Sequence, residues 1–455
     1  MLNLRWKKLL IMLMVLVFLT SSAVFAAPVH KNIFTDYSVS NAMEHLEILA
    51  GKDDAREAGT EGEHEAADYI ANYFKSLGLE VERQIFDILL FKDLGSEITL
   101  IQPEIKVFEP KTFMFSPSTP EGGIQGELVY AGLGYPEDFE GKDFNGKIAL
   151  IKRGAFTFYQ KVQNAANAGA IGAIIFNNVD GIINGTLITP TDIPAAAITK
   201  ADGEYLVDLI NNGTVTVKMV VETVIKESYS QNIIGTKRAE RGNGRIPETI
   251  VIGAHYDSVD TPGANDNGSG TVTLMEIARL MVDKKLAYDV KFVAFGAEEI
   301  GLVGSEVYVL DLYEKGEIDN IVAMINMDMV GVGDTLELKM AYEDTPTWVQ
   351  EQFSASAEIL GLNYNTGFSD RSDHANFEWF GIPTTFVAYG EDPYYHTDED
   401  SLDKIDEENM YNAGTLVASV LYQMAKTPMP ASEKGVKAKA AKLHSIVKGE
   451  KVFRE

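Results

Sequence analysis

Apolar positions in this chain change period twice. Residues 38–80 carry them three and four apart in "NAMEHLEILAG" and "EGEHEAADYIANYFKSLGL", on either side of the Gly-containing "REAGTEG", which predicts helices. Residues 83–101 turn to a strand-like pattern. From about 105 to 228, short β-like runs such as "GELVYAGLG", "GKIALIKRG", "AIGAIIFNN" and "IPAAAIT" are punctuated by Pro and Gly, with one helix over "TFYQKVQNAANAGA". From "SQNIIGTK" onward, strands near 231–236, 249–254, 289–295, 321–328 and 382–389 alternate with helices near 269–284, 302–315, 345–361, 373–380 and 403–425. That alternation predicts an α/β domain with a mixed, mostly parallel central sheet and helices on both faces. The interposed region reads as a smaller, β-rich α+β inserted domain. No internal repeat or coiled-coil pattern interrupts this layout.

Length and charge refine the picture. The 455 residues, 45% apolar, exceed one usual core and suit two or three structural units. Residues 1–26 read as a secretory signal peptide: Arg5, Lys7 and Lys8 precede "LLIMLMVLVFL", and Val24 and Ala26 fit a small-residue cleavage site. That apolar run is shorter than the roughly 20 residues a membrane span needs, so cleavage is expected and stable membrane insertion is not. The expected location is secreted, outside the cell. There is no Cys, so stability must come from core size and bound metal rather than disulfides. The formal charge of −28 becomes −31 once the three signal-peptide cations are lost. Such acidity disfavours nucleic acid and anionic membranes as partners. Residues 431–455 differ, because "EKGVKAKAAKLHSIVKGEKVFRE" carries a cationic excess. They read as a solvated helical tail, the alternative being attraction to an anionic cell wall.

Candidate chemistry collects at the predicted strand ends, where open α/β sheets place their ligand sites. His255 and Asp257 follow one strand and Asp266 lies in the Gly-rich turn of "GAHYDSVDTPGANDNGSG". Glu298 and Glu299 follow a second strand, Asp328 a third, and Tyr395 and His396 a fourth. Singly, each has an ordinary reading: a turn Asp, a satisfied His, an acidic helix start. Together, imidazoles and carboxylates without Cys suit Zn²⁺, less often Mn²⁺ or Co²⁺. Five such donors exceed one tetrahedral catalytic zinc that keeps an open position. They fit two ions about 3.5–4 Å apart sharing a carboxylate, with a further acid free to act as base.

The runs "HYDSVDTPGANDNGSG", "FGAEEIGLVGS", "NMDMVG", "RSDHANF" and "YYHTDED" resemble the successive motifs of the dizinc aminopeptidase family that includes relatives of glutamate carboxypeptidase and the transferrin receptor. The segment containing "GKIALIKRG" and "NAANAGAIGAIIFNN" resembles the protease-associated (PA) domain. The resemblance implies a zinc-exopeptidase-like catalytic domain over 27–104 and 229–430, with the PA domain at 105–228. It also implies a secreted aminopeptidase acting on peptides with a free N-terminus and holding two zinc ions per chain. His255 and Asp328 would bind one ion, Glu299 and His396 the other, and Asp266 both. Glu298 would be the general base, and Asp257 would orient His255. Tyr395 would donate a hydrogen bond to the tetrahedral intermediate, and Glu298 and Asp328 would receive the substrate ammonium. Arg371 is a candidate for the substrate carbonyl or product carboxylate, a structural ion pair being its other reading. Asp373 and His374 are expected to cap and pack a helix beneath the site, and His30, His45, His64 and His444 to be structural or exposed. The PA domain is expected to cover part of the active-site cleft. The "NGS" sequon within the metal-binding run is discounted as a glycosylation site. A carboxypeptidase for acidic C-termini, an N-terminal glutamine cyclase and a non-catalytic binding protein are the competing readings.

Overall fold

The computed structural model describes residues 36–51, 55–240 and 248–427. The expected signal peptide over 1–26 and basic tail over 431–455, with His30 and His444, lie outside them. Within the described residues the chain forms two compact units, one of 36–86 with 230–427 and one of 87–229.

The first unit opens with helices α1 (Val39–Ala50) and α2 (Glu61–Ser76), whose caps Ser38 and Thr60 accept from the amides of Asn41 and Glu63. Helix α2 buries Ala66, Ala67, Ile70, Ala71 and Phe74 on one stripe. Strand β1 (Glu80–Gln102) then carries the chain into the second unit.

That unit contains β2 (Lys106–Phe108), β3 (Lys111–Thr112), β4 (Ile124–Tyr130), the single turn α3 (Pro136–Phe139) and β5 (Ile148–Lys152). It continues with α4 (Phe158–Asn167), β6 (Gly172–Phe176), β7 (Ala195–Ile198) and α5 (Lys200–Asn212). Strand β8 (Thr216–Lys237) leads the chain back to the first unit. The sheet runs β8-β4-β5-β6-β7-β3, parallel from β4 to β7 with antiparallel edges. Neighbouring residues feed opposite faces, as the pleat requires: Ile151 and Ile175 pack with Val162 of α4, and Leu150 and Ile174 with Leu206 of α5. Ile98, Leu100 and Phe108 belong to the same interior. The compact unit thus takes in residues from Asp87 onward, ahead of the change in composition near 105. Its second helix, α5, had no counterpart in the sequence reading.

The first unit resumes with β9 (Thr249–His255), α6 (Gly270–Met281), β10 (Asp289–Phe295), α7 (Val303–Glu314) and β11 (Ile321–Met327). Then come β12 (Thr335–Met340), α8 (Trp348–Leu360), β13 (Tyr364–Phe368), α9 (His374–Trp379), β14 (Thr384–Gly390) and α10 (Glu407–Lys426). Its strands lie in the order β13-β12-β14-β11-β9-β10-β8. The central four are parallel, β12 and β8 antiparallel to their inner neighbours. The mixed, mostly parallel sheet is thus present, with helices on both faces. One face packs Ile250, Ile252 and Phe292 against α1, α2, α6, α8 and α10. The other packs Val251 and Phe295 against Tyr308 and Val309 of α7 and Phe377 of α9. Every residue of β9 is buried, which accounts for its unbroken apolar run. Among the described residues, no helix is long and apolar enough to cross a membrane.

Candidate active site

The parallel strands place their carboxyl ends side by side. β9 ends at His255, in register with Phe295 at the end of β10, so Glu298 and Glu299 emerge next to it. Asp328 directly follows β11, and the loop after β14 carries Tyr395 and His396. Asp266 sits in an irregular turn, Ala264–Ser269, that leads into α6.

These residues converge. His255 Nε2 lies 3.2 Å from Asp328 Oδ1 and 3.3 Å from Asp266 Oδ1. His396 Nε2 lies 3.2 Å from Asp266 Oδ2 and 3.2 Å from Glu299 Oε2. The two oxygens of Asp266 therefore face different imidazoles. Three donor sets result, His255–Asp266–Asp328 and Asp266–Glu299–His396, which share Asp266, and His255–Glu298–Glu299; the ligand atoms lie within 4.8 Å of one another in each set. Glu298 Oε2 stands 4.0 Å from His255 Nε2.

A surrounding layer orients these groups. Asp257 accepts from the amides of Glu298 and Glu299 at 3.0 and 3.1 Å, while its carbonyl oxygen is 3.1 Å from His255 Nδ1. Ser372 Oγ donates to Asp328 Oδ2 at 2.7 Å and accepts from Asn326. Asp400 accepts from the amides of Asn265 and Asp266 at 2.7 and 3.0 Å. Tyr395 stacks on His396, and Arg371 Nη2 is 3.4 Å from the Tyr395 hydroxyl.

Charge is concentrated here with little water to dissipate it. Burial opposes the imidazolium of His396, but its bonds to Asp266 and Glu299 outweigh this and push it up to about 10. His255 is likewise held well above its ordinary value, burial being overcome by Asp328, Glu298 and Asp257. Burial pushes Glu299 up to about 7 and Glu298 well above the usual carboxyl range. Asp266 is the exception: burial would raise it, yet His255 and His396 hold it well below. Protons on the imidazoles thus offset the carboxylates, a task that metal cations perform when they replace those protons. Glu299 Oε1 is buried and lacks a hydrogen-bond partner among the described residues. An imidazole–carboxylate donor set with such an oxygen to spare fits a borderline divalent cation such as zinc.

Some expectations change in detail. His374 Nε2 bonds to the carbonyl of Ser369 at 2.8 Å, its ring stacks on Phe386, and burial pushes it down to about 4, so it packs beneath the site. Asp373 precedes α9 but makes no side-chain cap bond. Arg371 has no carboxylate partner within salt-bridge distance among the described residues; the ion pair weighed for it is absent, and it lines the cavity instead. His45 bonds to Tyr69 Oη at 2.6 Å, remote from the donor sets. Asp400, Ser372 and Arg56 went unassigned in the sequence; Asp400 lay inside the quoted "YYHTDED", while Arg56 had no pattern around it.

A cavity of about 320 Å³ opens beside the donors. Its walls include Asp266, Glu298, Glu299, Asp328, Glu337, Glu391 and Asp392 against only Lys339 and Arg371, with Met329, Phe386, Ala388 and Tyr389 as apolar surface.

A parallel-centred α/β sheet whose strand ends carry two donor sets joined by one carboxylate defines a metal-dependent hydrolase. The sequence pattern of peptidase family M28 matches residues 232–421, and that of the PA domain matches 124–206. Aminopeptidase YwaD of Bacillus subtilis (strain 168) is 35% identical over 438 residues, covering 90% of this chain and 91% of its own. The chain belongs to peptidase family M28 and carries a PA domain. The solved structure of an aminopeptidase from Aneurinibacillus sp. strain AM-1 matches with a TM-score of 0.77 and 35% identity, over 88% of this chain and 98% of that one. A zinc aminopeptidase from Bacillus subtilis matches with a TM-score of 0.63 and 33% identity, over the same shares.

Proposed function

We propose that this chain is a zinc-dependent aminopeptidase that releases N-terminal residues from peptides with a free α-amine, and that it holds two zinc ions. Family membership and the activities of the relatives support the reaction. The observation that carries the two-ion reading is Asp266, whose two oxygens face His255 and His396 at 3.3 and 3.2 Å. His255 and Asp328 would hold one ion and Glu299 and His396 the other, with Asp266 available to both.

Zinc, when bound, supplies Lewis acidity and a nucleophilic water at neutral pH. Glu298 accepts a proton at its carboxylate and delivers it to the leaving amine. Asp257 fixes the amides of Glu298 and Glu299 and faces the far side of His255, so one residue orients base and ligand together. Tyr395, whose phenol burial pushes further up, stays protonated and donates to the carbonyl oxygen as it gains charge. Arg371 beside it contacts a substrate carbonyl or product carboxylate. The acidic cavity, with Glu298 and Asp328 at its inner end, attracts the substrate ammonium. Seven acids against two bases also oppose a C-terminal carboxylate, which disfavours the carboxypeptidase reading. Export through residues 1–26 remains part of this proposal, resting on their sequence alone.

Purified chain should contain two zinc ions and hydrolyse leucyl p-nitroanilide, lose activity to a chelator, and regain it with zinc. Equal rates on free and N-acetylated peptides would rule out an aminopeptidase; a single bound zinc at full activity would rule out the two-ion site. Signal cleavage is checked by mass spectrometry of the chain recovered from culture medium.

A further inference from the structure

Arg56 lies between α1 and α2, only 2% exposed. Among the described residues its guanidinium bonds to backbone alone. Nε donates to the carbonyl of Tyr256 at 2.8 Å, Nη1 to Pro262 at 2.7 Å and Leu49 at 3.1 Å, and Nη2 to Gly263 at 2.8 Å. Its main chain adds two more ties: its amide donates to Ser258 Oγ at 3.0 Å, and the Ser258 amide donates to its carbonyl at 3.1 Å. One planar cation thus gathers both ends of the segment that separates His255 from Asp266.

Burying a cation without a hydrogen-bonded carboxylate is costly, and a residue serving only to hold helices together has no need of it. Burial lowers Arg56 to about 10, opposed by the field of Asp257, Asp400, Asp266 and Glu299, so it stays charged at neutral pH. Gly263 has φ of 60°, and a Cβ there would stand 2.9 Å from Arg56 Nη2 and 2.6 Å from Ser258 Cβ. The glycine both adopts the left-handed turn and admits the guanidinium. Beyond it, Asp400 pins the amides of Asn265 and Asp266. Every tie in this chain of contacts is made by the protein itself.

We propose that Arg56 is a positioning residue that holds the 256–266 loop in its metal-binding shape before metal arrives, so that His255 and Asp266 are preorganised as donors. The proposal rests on reading those two residues as zinc ligands. Lysine cannot substitute, because one ammonium on a flexible stem does not reproduce the planar fork that reaches four carbonyls.

The test is zinc affinity by chelator competition for wild type, Arg56→Lys and Arg56→Gln, with circular dichroism to verify folding and the cobalt-substituted absorption spectrum as a report on donor geometry. Both variants should bind zinc about 10–100-fold more weakly, as loss of an orienting partner usually does, and shift the cobalt spectrum. Wild-type affinity in either folded variant overturns the proposal. Should neither variant fold, hydrogen exchange on zinc-free wild type decides. The amides of Asn265, Asp266 and Gly268, bonded to Asp400 and Gly263, should stay protected, and exchange at unstructured-peptide rates refutes preorganisation. A wild-type chain that binds no zinc would instead remove the zinc reading itself.

Discussion

Replacing Glu298 by Gln isolates proton transfer from metal binding. The side chain is 8% exposed and its backbone amide is held by Asp257, so an isosteric amide occupies the same space without releasing the loop. Glu298 lies outside the two donor sets that share Asp266 but forms a third with His255 and Glu299, so a zinc content equal to that of wild type is what its assignment as base requires. What disappears is a proton acceptor beside the reacting centre. General-base loss costs roughly 10²–10⁴ in rate, or about 2.7–5.5 kcal/mol of barrier. Stability should not fall with it. Burial and then Asp328, Asp373 and Glu299 push this carboxyl well above its ordinary value, His255 only partly opposing them. In the metal-free chain, where burial disfavours the charged form, a neutral amide therefore relieves a cost in the folded state. The assay is kcat on leucyl p-nitroanilide at saturating zinc, with metal content and melting temperature from the same preparation. A variant as active as wild type refutes the assignment of Glu298 as base; one that loses zinc shows it to be a ligand.

Asp266→Asn should weaken both zinc sites, whereas Glu299→Gln should chiefly weaken one, as read by metal content after dialysis; identical losses would contradict a shared Asp266. Tyr395→Phe should lower kcat by about 10²–10³, the usual cost of one oxyanion donor, and an unchanged kcat with raised KM would place the phenol in ground-state binding instead. Glu63 accepts from Ser230 and the Gly59 amide, yet burial and then Asp257 push it from an ordinary 4.5 up to about 8. Between those values the folded chain keeps a proton that the unfolded chain has released, so stability falls as pH rises from about 4.5 to 8. Glu63→Gln should flatten that decline in melting temperature, and parallel pH profiles for the two proteins would refute the shift.

Much of the site was legible because its residues follow apolar runs whose length and burial are unmistakable. β9 and β14 are almost wholly buried, so "TIVIGAH" and "TTFVAYG" announce strands without reference to context. β12 was missed although its sequence, with Glu337 and Lys339 between Leu336, Leu338 and Met340, alternates as strictly as its burial, so the period of two was there to be read. β13, "YNTGF", is an exposed edge with no buried residue to generate a pattern. Helix α5 carries Asp202 and Gly203 in its first turns, residues that read as a loop, and its N-terminal cap Thr199 supplies the start signal that its periodicity does not. The start of the second compact unit at Asp87 has no local signal, because β1 is one unbroken strand across it. Arg56 is the extreme case, since its partners are carbonyls, which every residue possesses and no sequence pattern distinguishes.

Topology explains why residues so far apart share a centre. Adjacent parallel strands lie about 4.8 Å apart, so the residues that follow β9, β10 and β11 emerge at one level within reach of each other. His255 and Asp328, 73 positions apart, meet at 3.2 Å by this means. His396 comes from beyond β14, farther along the sheet, and approaches only because its loop bends back toward the Asp266 turn. Asp400 makes that approach, joining the two segments through the Asn265 and Asp266 amides, and Asp392 adds a bond to the Asn265 side chain. The second donor set therefore depends on the turn that completes the first. A perturbation that moves this turn must disturb both sets at once, while one that moves Asp328 or Glu299 alone need not, and the site's tolerance to substitution should follow that division.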